Sequence, residues 1–143
     1  MKVALFGGTG FVGSYIIDEL IANNHKPKLL VREGSEKKLL QADKCEVFQG
    51  DLSDGAAVKK TISQADVVIY SIGLVREFPH RGITFQETQF DGVKQTVDIA
   101  LDCGIKKYIL VSANGAKLDG TKYQSTKYLA EEYLKHTNLD WTI

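Results

Sequence analysis

The chain has 143 residues, 43% of them hydrophobic, with 18 basic and 18 acidic side chains and no formal net charge. That length suits one domain able to bury a core without a disulfide or a metal, and the balanced charge excludes the general attraction that draws proteins to nucleic acid or an acidic membrane surface. No apolar run approaches the roughly 18 residues of a membrane helix and no charged-then-apolar leader precedes the first strand, so a cytoplasmic protein with neither nucleic-acid nor membrane partners is expected. Cys45 and Cys103 lack zinc-type or Cys-x-x-Cys spacing and read as buried thiols of a reducing compartment, and no metal site is expected.

Val3-Ala4-Leu5-Phe6 is a short apolar run of buried-strand type. Gly7-Gly8-Thr9-Gly10-Phe11-Val12-Gly13 breaks it, after which Val12, Ile16, Ile17, Leu20 and Ile21 recur at helical spacing. Strand, glycine turn and helix open a dinucleotide-binding unit, although an ordinary strand-to-helix turn could use the same glycines. Gly7 allows the tight turn, Gly10 lets a phosphate approach the backbone, and Gly13 lets the helix pack closely on the strand. A pyrophosphate would then lie on unpaired N–H groups at the positive end of the helix dipole.

Asn23, Asn24, His25 and Pro27 close the next turn, and Lys28 to Arg32 is a second strand. Where an NAD site usually places an acidic group on the ribose hydroxyl, this chain has Arg32, a guanidinium suited to the 2′-phosphate of NADP. Glu33 follows it and blurs the choice between NADP and NAD, and a solvated strand-end charge is the alternative reading of Arg32. Ser35 is a plausible cap for a short helix through Leu40, and Cys45 to Phe48 is a third strand. At its end Asp51 could accept from an adenine amine while Leu52 packs on the ring, or Asp51, Ser53 or Asp54 could cap the helix running to Ile62.

Ala65 to Tyr70 reads as the central fourth strand, and it delivers Ser71, Ile72 and Gly73 to the edge that carries the glycine turn. The loop from Leu74 to Gly82 holds Arg76, Pro79, His80 and Arg81, where a substrate or partner could meet the chain; His80 has no orienting partner in the sequence and is not assigned as a base. Phe85 to Cys103 reads as one long helix ended by Gly104, Lys107 to Val111 as a fifth strand, Tyr123 to His136 as a helix, and Leu139 to Ile143 as the start of a sixth strand.

Tyr123 and Lys127 share one helical face a turn apart. An ammonium beside a phenol favours phenolate and makes the hydroxyl a better proton donor or acceptor during hydride transfer at a carbonyl carbon. Taken alone, Tyr-x-x-x-Lys is a weak signal and reads first as a surface pair on an amphipathic helix.

With the G-x-x-G-x-x-G glycines, the element order and the closing Leu139-Asp140-Trp141-Thr142-Ile143, the whole chain resembles the short-chain dehydrogenase/reductase superfamily. It is most similar to the extended and atypical branch, with the NmrA-like proteins, the complex I subunit type and, more distantly, the nucleoside-sugar epimerases. The resemblance implies that Gly7, Thr9, Gly10, Phe11, Val12 and Gly13 meet the cofactor phosphates and ribose. It places Arg32 at the adenosine ribose, Asp51 and Leu52 at the adenine, and Ser71, Ile72 and Gly73 at the cofactor's centre. Tyr123 matches the acid/base, Lys127 the ribose-binding lysine, and Ser112 the carbonyl polariser, although Ala113 stands where relatives carry a second hydroxyl and Asn114 could donate instead.

The expected fold is a Rossmann α/β/α sandwich on a doubly wound parallel sheet in the order 3-2-1-4-5-6, its crossovers right-handed. Residues 1–143 read as a single NAD(P)-binding domain truncated at the sixth strand, or as a natural minimal protein, because relatives continue into an Arg-Pro segment and a substrate-binding region. The expected function is that of an NAD(P)-dependent oxidoreductase or epimerase using NADP in preference to NAD on an unknown small molecule. A non-catalytic dinucleotide-binding sensor or scaffold is the other reading, and a homodimer through the helices at 85–103 and 123–136 is what the resemblance implies.

Overall fold

In the computed structural model, which describes residues 1–143, six strands form one parallel sheet. They are β1 (Lys2–Phe6), β2 (Lys26–Val31), β3 (Glu46–Gln49), β4 (Val67–Tyr70), β5 (Lys107–Leu110) and β6 (Asp140–Thr142), ordered β3-β2-β1-β4-β5-β6. The helices are α1 (Phe11–Ala22), α2 (Gly55–Ile62), α3 (Gly92–Asp102) and α4 (Lys122–Lys135). This is the Rossmann order expected from the sequence.

The central strands are buried on both faces, which is why they read as unbroken apolar runs. In β4 all of Val67 to Tyr70 are buried, and in β1 all of Val3 to Phe6. The two-residue period of a strand divides them: Val3 and Leu5 join Ile17 of α1 in one cluster, while Ala4 and Phe6 join α2, α3 and α4 through Val58, Ile62, Val97 and Leu134 in the other. The chain fills one sheet face on its way out to β3, then crosses to β4 and fills the other. The two crossovers part between β1 and β4, and a crevice opens there at the carboxyl ends of the strands.

Four local expectations are corrected. Pro27 stands inside β2, paired with Val3, instead of in the turn. Lys26 N–H donates to Met1 O at 2.8 Å, so the Pro27 nitrogen faces away from β1, and pairing to β3 starts only at Lys28; no ladder bond is lost. The short helix from Ser35 to Leu40 is a single 3₁₀ turn, Glu36–Lys38, because Ser35 makes no capping bond and Leu40 is 91% exposed with nothing to bury against.

The long helix is interrupted. Residues Gln86–Asp91 form a π-helical turn ahead of α3. The Tyr70 hydroxyl, inside the core, donates to Thr88 O at 2.5 Å, and a Cβ at Gly92 would collide with that same hydroxyl. One additional residue in the turn lets the backbone pass this buried phenol and turns Gln89 fully inward. The two cysteines are free and half-buried rather than buried.

Candidate functional site

The glycine turn is shaped by close approach of backbones. Gly7 has φ +95°, and a Cβ there would sit 2.8 Å from the Ser71 carbonyl carbon; a Cβ at Gly13 would run into the Gly7 carbonyl. Gly10 N–H donates to Gly7 O at 3.0 Å, and Gly10 caps α1 without a side-chain bond. The first turn carries no acidic residue, and Phe11, Val12 and Gly13 are left with N–H groups lacking a backbone acceptor. Such a helix start favours an anion.

In front of it lies a cleft of about 720 Å³, the size of a site that takes a nucleotide-like ligand. Gly7, Thr9 and Gly10 line its middle, Arg32, Asp51 and Leu52 one end, and Ser71, Ile72 and Gly73 the β4 side. The topology thus brings these predicted residues to one edge. Phe11 and Val12 are outside the lining, 80% and 50% exposed at the rim, with the Phe11 ring edge-on to Tyr15; Gly13 is buried under the turn.

The carboxylates after β3 divide the work that the sequence left open. Asp54 caps α2, its Oδ1 accepting from Ala56 N at 3.1 Å and Ala57 N at 3.0 Å. Asp51 faces the cleft, and the Ser53 hydroxyl and N–H that donate to it hold its carboxyl below the usual range. Arg32 lies one residue beyond β2 and faces both the cleft and an outer recess, whereas Glu33 lines only the recess.

The Ser71 hydroxyl is buried and has no hydrogen-bond partner. A buried unpartnered polar atom in a residue lining the same cleft as the glycine turn and its unpaired helix N–H groups is chemistry that a dinucleotide would satisfy. The residues present therefore fit a nicotinamide dinucleotide.

Beyond Gly73 the cleft meets α4. Lys127 is 3% exposed, and its Nζ donates to Val111 O at 3.1 Å and lies 3.9 Å from where a Gly73 Cβ would stand. Burial pushes its ammonium below the ordinary lysine range, and Glu131 opposes that shift. Ser112 Oγ donates to Glu131 Oε1 at 2.5 Å. Tyr123 is half-buried, with its ring edge-on to Phe85 at 5.5 Å. A capping box between Thr121 and Gln124 secures the helix start.

Tyr123, Lys127 and Ser112 are thus gathered by α4 and the end of β5, beside the cleft and not in its wall. His80 is exposed, edge-on to Phe78, and outside the cleft.

Sequence reasoning missed several residues. Glu131 carried no signal, being one more charge on a helix. Glu87, Asp91 and Gln95 line the cleft because the π turn and the start of α3 cross its mouth, and Arg81, read from the sequence only as part of a loop open to a substrate or partner, lines it from the turn Pro79–Arg81. Gln89 is fully buried, with Nε2 donating to Leu74 O at 3.3 Å and Oε1 accepting from Thr126 Oγ1 at 3.1 Å. An amide inside a helical apolar pattern was the only sign of that tie.

A family model described as NAD(P)H-binding matches residues 7–143. The chain is similar to the ceramide reductase of Caulobacter vibrioides, 30% identical over 115 residues that cover 80% of this chain and 35% of that protein. It is also similar to eugenol synthase 2 of Clarkia breweri, 32% identical over 83 residues, 52% of this chain and 27% of that protein. The chain therefore spans about a third or less of these curated relatives. A candidate NAD-dependent epimerase/dehydratase of Bacillus halodurans superposes with a TM-score of 0.85 at 26% identity, over 100% of this chain and 68% of that one. The Bordetella bronchiseptica enzyme WbmH, solved in complex with NAD+, superposes with a TM-score of 0.83 at 19% identity, over 98% of this chain and 53% of that one, a likeness of fold.

Proposed function

We propose a reaction for this chain, which belongs to the NAD(P)H-binding family and has a reductase/epimerase-type domain: hydride transfer between a bound nicotinamide dinucleotide, preferentially NADP, and a carbonyl or alcohol carbon of a small molecule. The observation that carries it is the buried Lys127 ammonium at the Gly73 end of a cleft whose middle is the glycine turn and whose far end holds Arg32. The cofactor supplies or takes up the hydride.

The remaining roles fall to the chain. Amides of the glycine turn hold the diphosphate, Arg32 the adenosine ribose phosphate, and Asp51 and Leu52 the adenine. Lys127 holds the nicotinamide ribose, and the Tyr123 hydroxyl gives the substrate oxygen its proton in reduction and removes it in oxidation. Ser112 polarises the carbonyl once it turns from Glu131, and Asn114 is the alternative donor.

The engagement of Ser112 by Glu131, together with Ala113 beside it, favours a second reading: a dinucleotide-binding sensor or scaffold without turnover. Tyr123→Phe separates the two. If the enzyme reading holds, NADPH-dependent reduction across a carbonyl panel falls by at least about 100-fold while cofactor fluorescence titrations are unchanged. An unchanged rate means that Tyr123 is not the acid.

A further inference from the structure

Every ion pair in the molecule uses a lysine: Lys94, Lys107, Lys117, Lys122 or Lys135. Neither arginine in the cleft, Arg32 or Arg81, joins a carboxylate, although Asp51, Glu87 and Asp91 line the same space. Two arginines that line one cavity without a carboxylate partner are charges held ready for an anion.

Arg81 is delivered there by a built element. Phe78 and Ile83 bond each other in both directions, at 2.7 and 3.2 Å, and close a hairpin whose tip is the turn Pro79–Arg81. Its base is tied down twice. Glu77 Oε1 accepts from Phe85 N–H at 2.8 Å and pairs with Lys122 at 3.0 Å, and Leu74 O accepts from the buried Gln89.

The glycine turn leads into α1 on one face of the sheet, and this hairpin leads toward α3 on the other. The two loops therefore flank the crevice from opposite sides. Arg32 stands at the adenosine end and Lys127 beyond Gly73. The middle stretch, where the diphosphate of the proposed cofactor would lie, has backbone N–H groups on its α1 side and no cation except Arg81.

Resting on the dinucleotide reading above, we infer that Arg81 is a second cation of the cofactor site and clamps the diphosphate against the glycine turn from the opposite loop. Arg32 and Arg81 then divide the labour, Arg32 choosing between ribose 2′-substituents and Arg81 holding the diphosphate common to both cofactors.

The test is equilibrium titration of the wild type, Arg81→Ala, Arg81→Gln and Arg32→Ala with NADPH, NADH, ADP and adenosine. The Arg81 side chain makes no hydrogen bond or ion pair, so both of its variants should keep the fold. Loss of one charge-assisted contact predicts about tenfold or greater weakening of NADPH, NADH and ADP alike, with adenosine unaffected. Arg32→Ala should weaken NADPH more than NADH. Arg81 variants that bind ADP like the wild type, or that lose adenosine and ADP equally, overturn the clamp while leaving the cofactor reading intact. A wild type that binds none of the four ligands overturns the cofactor reading, and the clamp with it.

Discussion

Lys127 ends at one carbonyl oxygen, Val111 O, and its nearest compensating charge, Glu131, is engaged by Ser112 and Lys135. Because burial lowers its pKa, the folded state holds this proton less tightly than the unfolded chain does. The ammonium therefore penalises the fold below its folded pKa, and the penalty is lifted as pH rises through that value toward the ordinary lysine range. Measured by urea unfolding from about pH 7 to about pH 10, the stability difference between wild type and Lys127→Met should move in favour of the wild type as pH rises. A difference independent of pH would show that the lysine is not penalised by burial. The type and spacing of Lys127 were legible in the chain, while its burial and its carboxylate neighbour were not, since Glu131 reaches Ser112 only through the packing of α4 on β5.

At the scale of elements, most of the fold could be read because period and punctuation agree. The buried strands are continuous apolar runs, and glycines mark the turn after β1 and the end of α3. The π turn is where this reading fails. A 3.6-residue period assumes an uninterrupted ladder, and the inserted residue is driven by Tyr70, which comes from a different strand. Gln89 is the polar pin of that turn, tying the loop after β4 to α4. Gln89→Leu strands the Leu74 carbonyl without its donor and should cost about 1–3 kcal/mol in urea unfolding. Wild-type stability in that variant would mean the tie carries no weight. The failed helix at Ser35 has the complementary cause: a capping residue was present, but no apolar surface waited for Leu40.

For the whole molecule, the two clusters on opposite sheet faces explain the layered sandwich, and the parting of crossovers between β1 and β4 explains where the cleft lies. Pairing of two copies through α3 and α4 is a proposal taken from the family resemblance, and the outward side of these helices keeps Leu101 at 38% and Leu129 at 36% exposure. Sedimentation velocity at micromolar concentration should then give the mass of a dimer, with Leu129→Glu shifting it toward monomer. A monomer at all concentrations would remove that proposal.

The amino-acid sequence by itself determined the strands, the helices and the glycine turn, because strand burial, backbone clearance and helical spacing are local rules written residue by residue, and the sheet order and the family followed from the resemblance those motifs carry. It also named nine of the 22 residues of the cleft wall, those at the carboxyl ends of β1 to β4, since the carboxyl ends of parallel strands must share an edge. Only the tertiary structure decided which carboxylate caps and which faces the cleft, that Ser112 is held by Glu131, and that Arg81 arrives opposite the glycine turn unpaired. Those facts depend on which side chains meet across elements far apart in the chain, and no local period or spacing encodes such a meeting.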